Sequence, residues 1–170
     1  MNPLKWNFRL QCAVGFLVCA GLLAFAIYMQ LAMGLEPCPM CIYQRLAFAA
    51  TALVFLAGVI HGPRERSGRA TYGILAAVMA VIGIVLAARH VYVQLLPPEM
   101  GFSCGPPLSF LNQTQGFLGA FRTVLTGTAN CGVIDWTFLG LSMPMWSLVW
   151  FVLLAAWALV IGLRRGTVRR

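Results

Sequence analysis

Four runs of apolar residues, 10–33, 42–60, 71–95 and 142–163, divide the chain, with more polar segments between them. Each is long enough to cross a hydrocarbon layer, which takes about 20 helical residues at ~1.5 Å rise each. Only a helix satisfies all of its own backbone hydrogen bonds within a lipid-crossing segment of this kind. The pattern therefore predicts an all-α membrane protein, with residues 1–170 forming a single domain built as a four-transmembrane-helix bundle. Lys5 and Arg9 precede the first run and Ala24-Phe25-Ala26 mimics a cleavage site, features shared with secretory signal peptides. The apolar stretch exceeds the ~7–15 residues of a signal core, so the run is read as a retained span.

Charge sets the expected orientation. Lys5 and Arg9 flank the first run, Arg64, Arg66 and Arg69 fill the link between the second and third, and Arg164, Arg165, Arg169 and Arg170 follow the fourth. All nine fall on one side, which the positive-inside rule makes cytoplasmic. Glu36, Glu99 and Asp135 fall on the other. Both termini are expected in the cytoplasm, with outer loops at about 34–37 and 97–141.

Composition agrees. The 170 residues are 61% hydrophobic and only 9% charged, against about 25% charged in a soluble domain. The net charge of +8 does not point to nucleic acid, because the basic residues cap apolar runs and lack interleaved aromatic stacking platforms.

The six cysteines sort by depth. Cys12 and Cys19 lie seven residues apart inside the first span, where a thiol behaves as a small inert hydrophobe. Cys38, Cys41, Cys104 and Cys131 all fall in or beside the outer loops, the side on which disulfides persist outside a bacterial inner membrane. Three readings fit four outer thiols: a zinc site, static disulfides or a redox relay. Cys38 and Cys41 have the spacing of a zinc knuckle, but Cys104 and Cys131 are far apart. His61 on the cytoplasmic side and His90 near the end of the third span add no expected ligand, so no metal is assigned. A C-x-x-C bridge closes a very small loop and is a weak staple for the unfolded chain, which favours exchange chemistry.

Local sequence sharpens that reading. Pro39 suits the first helical position, where its missing N–H costs nothing. The second helix is expected to begin near Cys38, leaving Cys41 in its first turn, where backbone N–H groups and the helix dipole favour a thiolate. Arg45 follows Cys41 by four residues on the same face. It is a candidate for steadying that sulfur or donating to a bound oxygen, against the alternative of snorkelling to lipid phosphate.

In the second outer loop, Phe110, Leu111, Phe117, Leu118, Phe121, Val124 and Leu125 recur near helical spacing around Arg122. This predicts a short interfacial helix, weakened by Gly116 and Gly119. Pro97-Pro98, Gly101 and Gly105-Pro106-Pro107 predict irregular chain around Cys104. Trp136 and Trp146 fit an interfacial aromatic belt.

The run Cys38-Pro39-Met40-Cys41-Ile42-Tyr43-Gln44-Arg45 resembles the C-x-x-C-x-x-x-R motif of the disulfide bond formation protein B (DsbB) family. Nearly the whole chain carries the likeness: four spans, Arg89-His90-Val91-Tyr92 ending the third, Cys104 and Cys131 in the long outer loop, and Cys131 to Trp146, "CGVIDWTFLGLSMPMW", leading into the fourth. The resemblance implies a thiol:quinone oxidoreductase of the Gram-negative inner membrane, its active site facing the periplasm. Such proteins reoxidise the thiol oxidase DsbA and pass its electrons to a membrane quinone, the established route that keeps the periplasm oxidising. Ubiquinone is the first expectation and menaquinone the second.

By motif, Cys104 and Cys131 form the pair that meets DsbA, with Cys104 taking the mixed disulfide. Cys38 and Cys41 form the membrane-edge pair, with Cys41 facing the quinone. Arg45 matches the family's quinone-site arginine and His90 its histidine near the ring. Two rivals stand beside this reading. A vitamin K epoxide reductase-like enzyme also couples thiols to quinones, but there the loop cysteines precede the C-x-x-C. A disulfide-stapled or metal-binding membrane scaffold would show no quinone-dependent loss of thiols.

Overall fold

A computed structural model describes residues 6–34, 37–95, 110, 113–116, 118–119, 122–123 and 137–164. Its long elements are α1 (Phe8–Met33), α2 (Pro39–His61), α3 (Arg66–Leu95) and α4 (Met143–Leu163). All four are long and apolar enough to cross a membrane. A two-residue-per-strand hairpin, β1 (Thr137–Phe138) and β2 (Leu141–Ser142), pairs antiparallel just before α4.

The outer faces are apolar, as lipid requires: Leu17, Leu31, Leu53, Ile60, Val85 and Leu153 are all exposed. Since lipid is as apolar as a protein core, helices associate in it through close packing and hydrogen bonds, and small residues let them approach. The α3–α4 seam follows this rule. Gly73 backs directly onto Gly162, and Ala76, Ala80, Ala155 and Ala158 are buried. Elsewhere a large side chain fills the space above a glycine. The Phe151 ring of α4 covers Gly83, and Phe55 of α2 lies 2.8 Å from where a Cβ on Gly15 would stand. Phe48 and Phe151 stack with centroids 3.8 Å apart, joining α2 to α4. Cys12 and Cys19 are fully buried within this core, as their depth predicts; a Cβ on Gly58 would come within 2.9 Å of Cys12 Sγ.

Hydrogen bonds tie the helices where α1 begins and α2 ends. Arg9 Nη2 donates to the Ile60 carbonyl at 3.2 Å, placing a cation at the carbonyl-rich end of α2, where the dipole favours it. Gly62 ends α2 in the left-handed conformation at φ 54°, its N–H donating to the Gly58 carbonyl at 2.9 Å, the arrangement a glycine after a helix permits most easily. Trp157 Nε1 donates to the Gln11 carbonyl at 3.2 Å, linking α4 to α1.

Three features differ from the sequence reading. α3 begins at Arg66 rather than residue 71, because hydropathy registers only the lipid-crossing part of a helix and misses a polar first turn. The hairpin was not expected. Its turn at Leu139 and Gly140, with φ of 53° and 78°, resembles the primed turns that match strand twist. In the second outer loop, residues 110, 113–116, 118–119 and 122–123 have helical assignments, but Gly116 has φ 67°, so the expected helix is interrupted there. Leu111, Phe117, Phe121, Val124, Leu125 and Trp136 lie outside the described residues, as does the irregular chain expected around Cys104.

Candidate active site

The C-x-x-C pair opens α2 as its proline predicts. Cys38 is the N-cap, extended at φ −62° and ψ 159°, and Pro39 occupies the first helical turn. The Cys38 carbonyl accepts the first helical bond, from Ile42 N at 3.1 Å. The backbone N–H of Cys41 then points back at the Cys38 side chain and donates to its Sγ at 3.2 Å. This differs from the expectation for Cys41: the sulfur that receives the helix-terminal N–H is Cys38. The reason is the cap position itself, since a cap side chain folds back over the third helical residue. The two side chains are part-buried, with their sulfurs 2.6 Å apart.

α3 supplies the third member. His90 is only 2% exposed, and its Nε2 lies 3.7 Å from Cys38 Sγ. On its other side, Nδ1 pairs with Gln44 Nε2 at 2.9 Å. With Gln44 Nε2 as the donor to Nδ1, a neutral ring carries its proton on Nε2, facing the sulfur. Gln44 is itself buried. The sequence placed His90 near the end of a span and, by resemblance, near a quinone ring; helix packing puts its ring nitrogen beside Cys38. Gln44 was missed altogether. Its signal was a polar amide inside an apolar span, three residues past Cys41, where such a group seeks an interhelical partner.

Arg45 stands where its spacing in the helix puts it. It lies one turn beyond Cys41, but its described hydrogen bonds run sideways to α1, from Nη1 to Gln30 Oε1 at 2.6 Å and from Nη2 to the Ala26 carbonyl at 3.2 Å. The guanidinium thus ties α1 to α2 below the sulfur pair. Nearby, Ser142 Oγ donates to Gln94 Oε1 at 2.8 Å, fixing the hairpin and the start of α4 to the last turn of α3. Trp146 Nε1 donates to the Phe138 carbonyl at 3.1 Å. Cys104 and Cys131 lie outside the described residues, so the structure brings together Cys38, Cys41 and His90, with Arg45 one helical turn below Cys41.

These features define a class: a multi-pass helical membrane protein with a dithiol at the mouth of one helix and a histidine from a neighbouring helix against it. Residues 8–161 match the family described as "Disulfide bond formation protein DsbB". Relatives named "Disulfide bond formation protein B" include one from Xanthomonas campestris pv. campestris (strain 8004), 62% identical over 170 residues, covering 100% of this chain and 99% of the relative. One from Xanthomonas euvesicatoria pv. vesicatoria (strain 85-10) is 63% identical over 164 residues, covering 96% and 95%. Another from Xylella fastidiosa (strain Temecula1 / ATCC 700964) is 56% identical over 164 residues, with the same coverage. The chain belongs to the DsbB family and is an oxidoreductase of disulfide bond formation.

Proposed function

We propose that this chain reoxidises a periplasmic DsbA-type thiol oxidase and delivers the two electrons to a membrane quinone, from the inner membrane of a Gram-negative bacterium with both termini in the cytoplasm. The observation that carries this reading is the Cys38–Cys41 pair, sulfurs 2.6 Å apart, held at the mouth of a membrane helix.

The chemistry runs through two exchanges. A thiolate of the reduced partner attacks Cys104 of a Cys104–Cys131 bridge, forming a mixed disulfide and releasing Cys131 as thiolate. The partner's second thiol resolves the adduct, leaving the partner oxidised and the loop pair reduced. The loop dithiol then exchanges with a Cys38–Cys41 disulfide, so the loop bridge reforms and the membrane-edge pair becomes the dithiol. The Cys41 N–H and the His90 ring lie against Cys38 Sγ and steady negative charge on it while the pair is reduced. In this scheme Cys41 is the sulfur that faces the lipid-borne acceptor.

The residues fit a quinone. Arg45 is part-buried with two of its five guanidinium N–H donors in described hydrogen bonds. The last turn of α1 exposes Leu31 and Met33, so an apolar ring bearing carbonyl acceptors would meet lipid-like contact and a donor. When bound, a quinone accepts two electrons and two protons from the dithiol. Ubiquinone is the first candidate and menaquinone the second. The apolar residues of the 110–125 segment are read as a tether on the membrane surface that limits how far Cys104 and Cys131 travel.

The role assignment is tested by trapping. Cys131→Ser, mixed with reduced DsbA-type partner, is expected to accumulate an adduct through Cys104. An adduct through Cys38 would reverse the order of the two pairs.

A further inference from the structure

We propose that the reduced Cys38/Cys41 pair and His90 form a site for a thiophilic d10 cation, Zn²⁺ or Cu⁺, that exists only while the pair is a dithiol. The inference goes beyond the thiol-to-quinone reading and stands without it, since it uses only the geometry at the mouth of α2.

Three donor atoms from two helices converge there. The two sulfurs and a ring nitrogen of His90 all lie within 4.8 Å of one another. Two thiolates and an imidazole are the donor set of an open Cys2His zinc site, and soft sulfur equally selects Cu⁺. The distances suit one ion. With metal–sulfur and metal–nitrogen bonds of about 2.3 and 2.05 Å at a tetrahedral angle, sulfur and nitrogen stand about 3.6 Å apart. Cys38 Sγ and His90 Nε2 are already 3.7 Å apart. The sulfurs must open from 2.6 Å to about 3.8 Å, a change of about one ångström between two side chains three residues apart in one helical turn.

The ligand histidine is also prepared for the task. A metal-binding imidazole commonly passes its other N–H to a carbonyl or carboxylate that fixes the ring. Gln44 sits 2.9 Å from Nδ1. Turning its amide over would present Oε1 to an Nδ1–H and leave the Nε2 lone pair facing the sulfurs, with no movement of either backbone. The same residue thus serves both proton arrangements of the ring. Binding releases two thiol protons to solvent and transfers no electron. Closing the disulfide removes both thiolate ligands, so occupancy follows the redox state of the pair.

The test uses the full chain in lipid nanodiscs with Cys104→Ser and Cys131→Ser, leaving Cys12 and Cys19 in the core. After reduction, Co²⁺ serves as the spectroscopic probe for the zinc arm. One equivalent is expected to raise a sulfur-to-cobalt charge-transfer band that Zn²⁺ displaces. A Cu⁺ arm is titrated against a coloured chelator. His90→Ala and the milder His90→Gln should each weaken binding at least tenfold, and Gln44→Ala about tenfold. Oxidising the pair should abolish binding. Either metal arm with these dependences supports the site. No binding in both arms, binding that survives oxidation, or unchanged affinity in the His90 variants overturns it. If the variants do not fold, the reduced-against-oxidised comparison on the parent chain decides alone.

Discussion

Gln44 and His90 meet in the buried seam between α2 and α3, Nε2 to Nδ1 at 2.9 Å, and this contact turns the opposite ring nitrogen toward Cys38. The amide never touches sulfur in this arrangement. It acts by pairing with Nδ1 and fixing the plane of the ring.

Gln44→Ala therefore removes the partner of a buried ring nitrogen without touching the cysteines. Stability should fall by about 1–3 kcal/mol, the usual cost of stranding a buried polar group. Exchange at the Cys38–Cys41 pair should slow about tenfold. Thermal unfolding in detergent and stopped-flow thiol exchange measure the two effects separately; normal exchange in a destabilised variant would mean that Gln44 serves packing alone.

Arg45 has two separable jobs in this account. Its bonds to Gln30 and the Ala26 carbonyl join α1 to α2, and its remaining donors are available to an acceptor in the membrane. Arg45→Ala should impair quinone reduction while leaving exchange between the cysteine pairs largely intact. Gln30→Ala removes one tie but keeps the guanidinium, and is expected to cost about 1 kcal/mol of stability with near-normal quinone use. Equal loss of both steps in Arg45→Ala would assign the residue to the fold.

Gly83 tests the packing rule of the bundle. The Phe151 ring occupies the space a side chain would need, so Gly83→Leu should force α3 from α4 and sharply lower the yield of folded protein. Overpacking of this kind typically costs about 1–3 kcal/mol. Pairing Gly83→Ala with Phe151→Leu should recover part of the loss seen in Gly83→Ala, as expected for directly contacting residues. Additive losses in detergent-unfolding measurements would place the strain elsewhere.

Cys12 and Cys19 lie in the core, away from the relay as read here. Cys12→Ser and Cys19→Ser should retain turnover, each losing about 1 kcal/mol through a buried hydroxyl. A loss of electron transfer at unchanged stability would give these thiols a redox part.

Much of this arrangement was legible in the chain because lipid imposes long, uninterrupted apolar helices, and Pro39 marks where α2 starts. The helix-mouth position of Cys38 and Cys41 follows from local sequence alone. The approach of His90 does not: it depends on how α2 and α3 rotate against each other, which links residues 52 apart in sequence. The same holds for Gln44, and for Arg45 reaching across to α1. The hairpin was hidden for a different reason, since two-residue strands carry almost no periodic signal and only Leu139-Gly140 marks the turn. The polar beginning of α3 at Arg66 left no trace in hydropathy.

The central claim is a relay in which soluble thiols reduce a lipid-borne acceptor through two cysteine pairs in series. Its most direct test follows ubiquinone absorbance during turnover of the purified chain with reduced DsbA-type partner, with Cys38, Cys41, Cys104 and Cys131 each replaced by Ser in turn. Every replacement is expected to abolish sustained quinone reduction, and omitting quinone should stop net oxidation of the partner. Sustained quinone-dependent turnover in a chain lacking Cys104 or Cys131, or partner oxidation that proceeds without quinone or any other acceptor, would contradict the series arrangement.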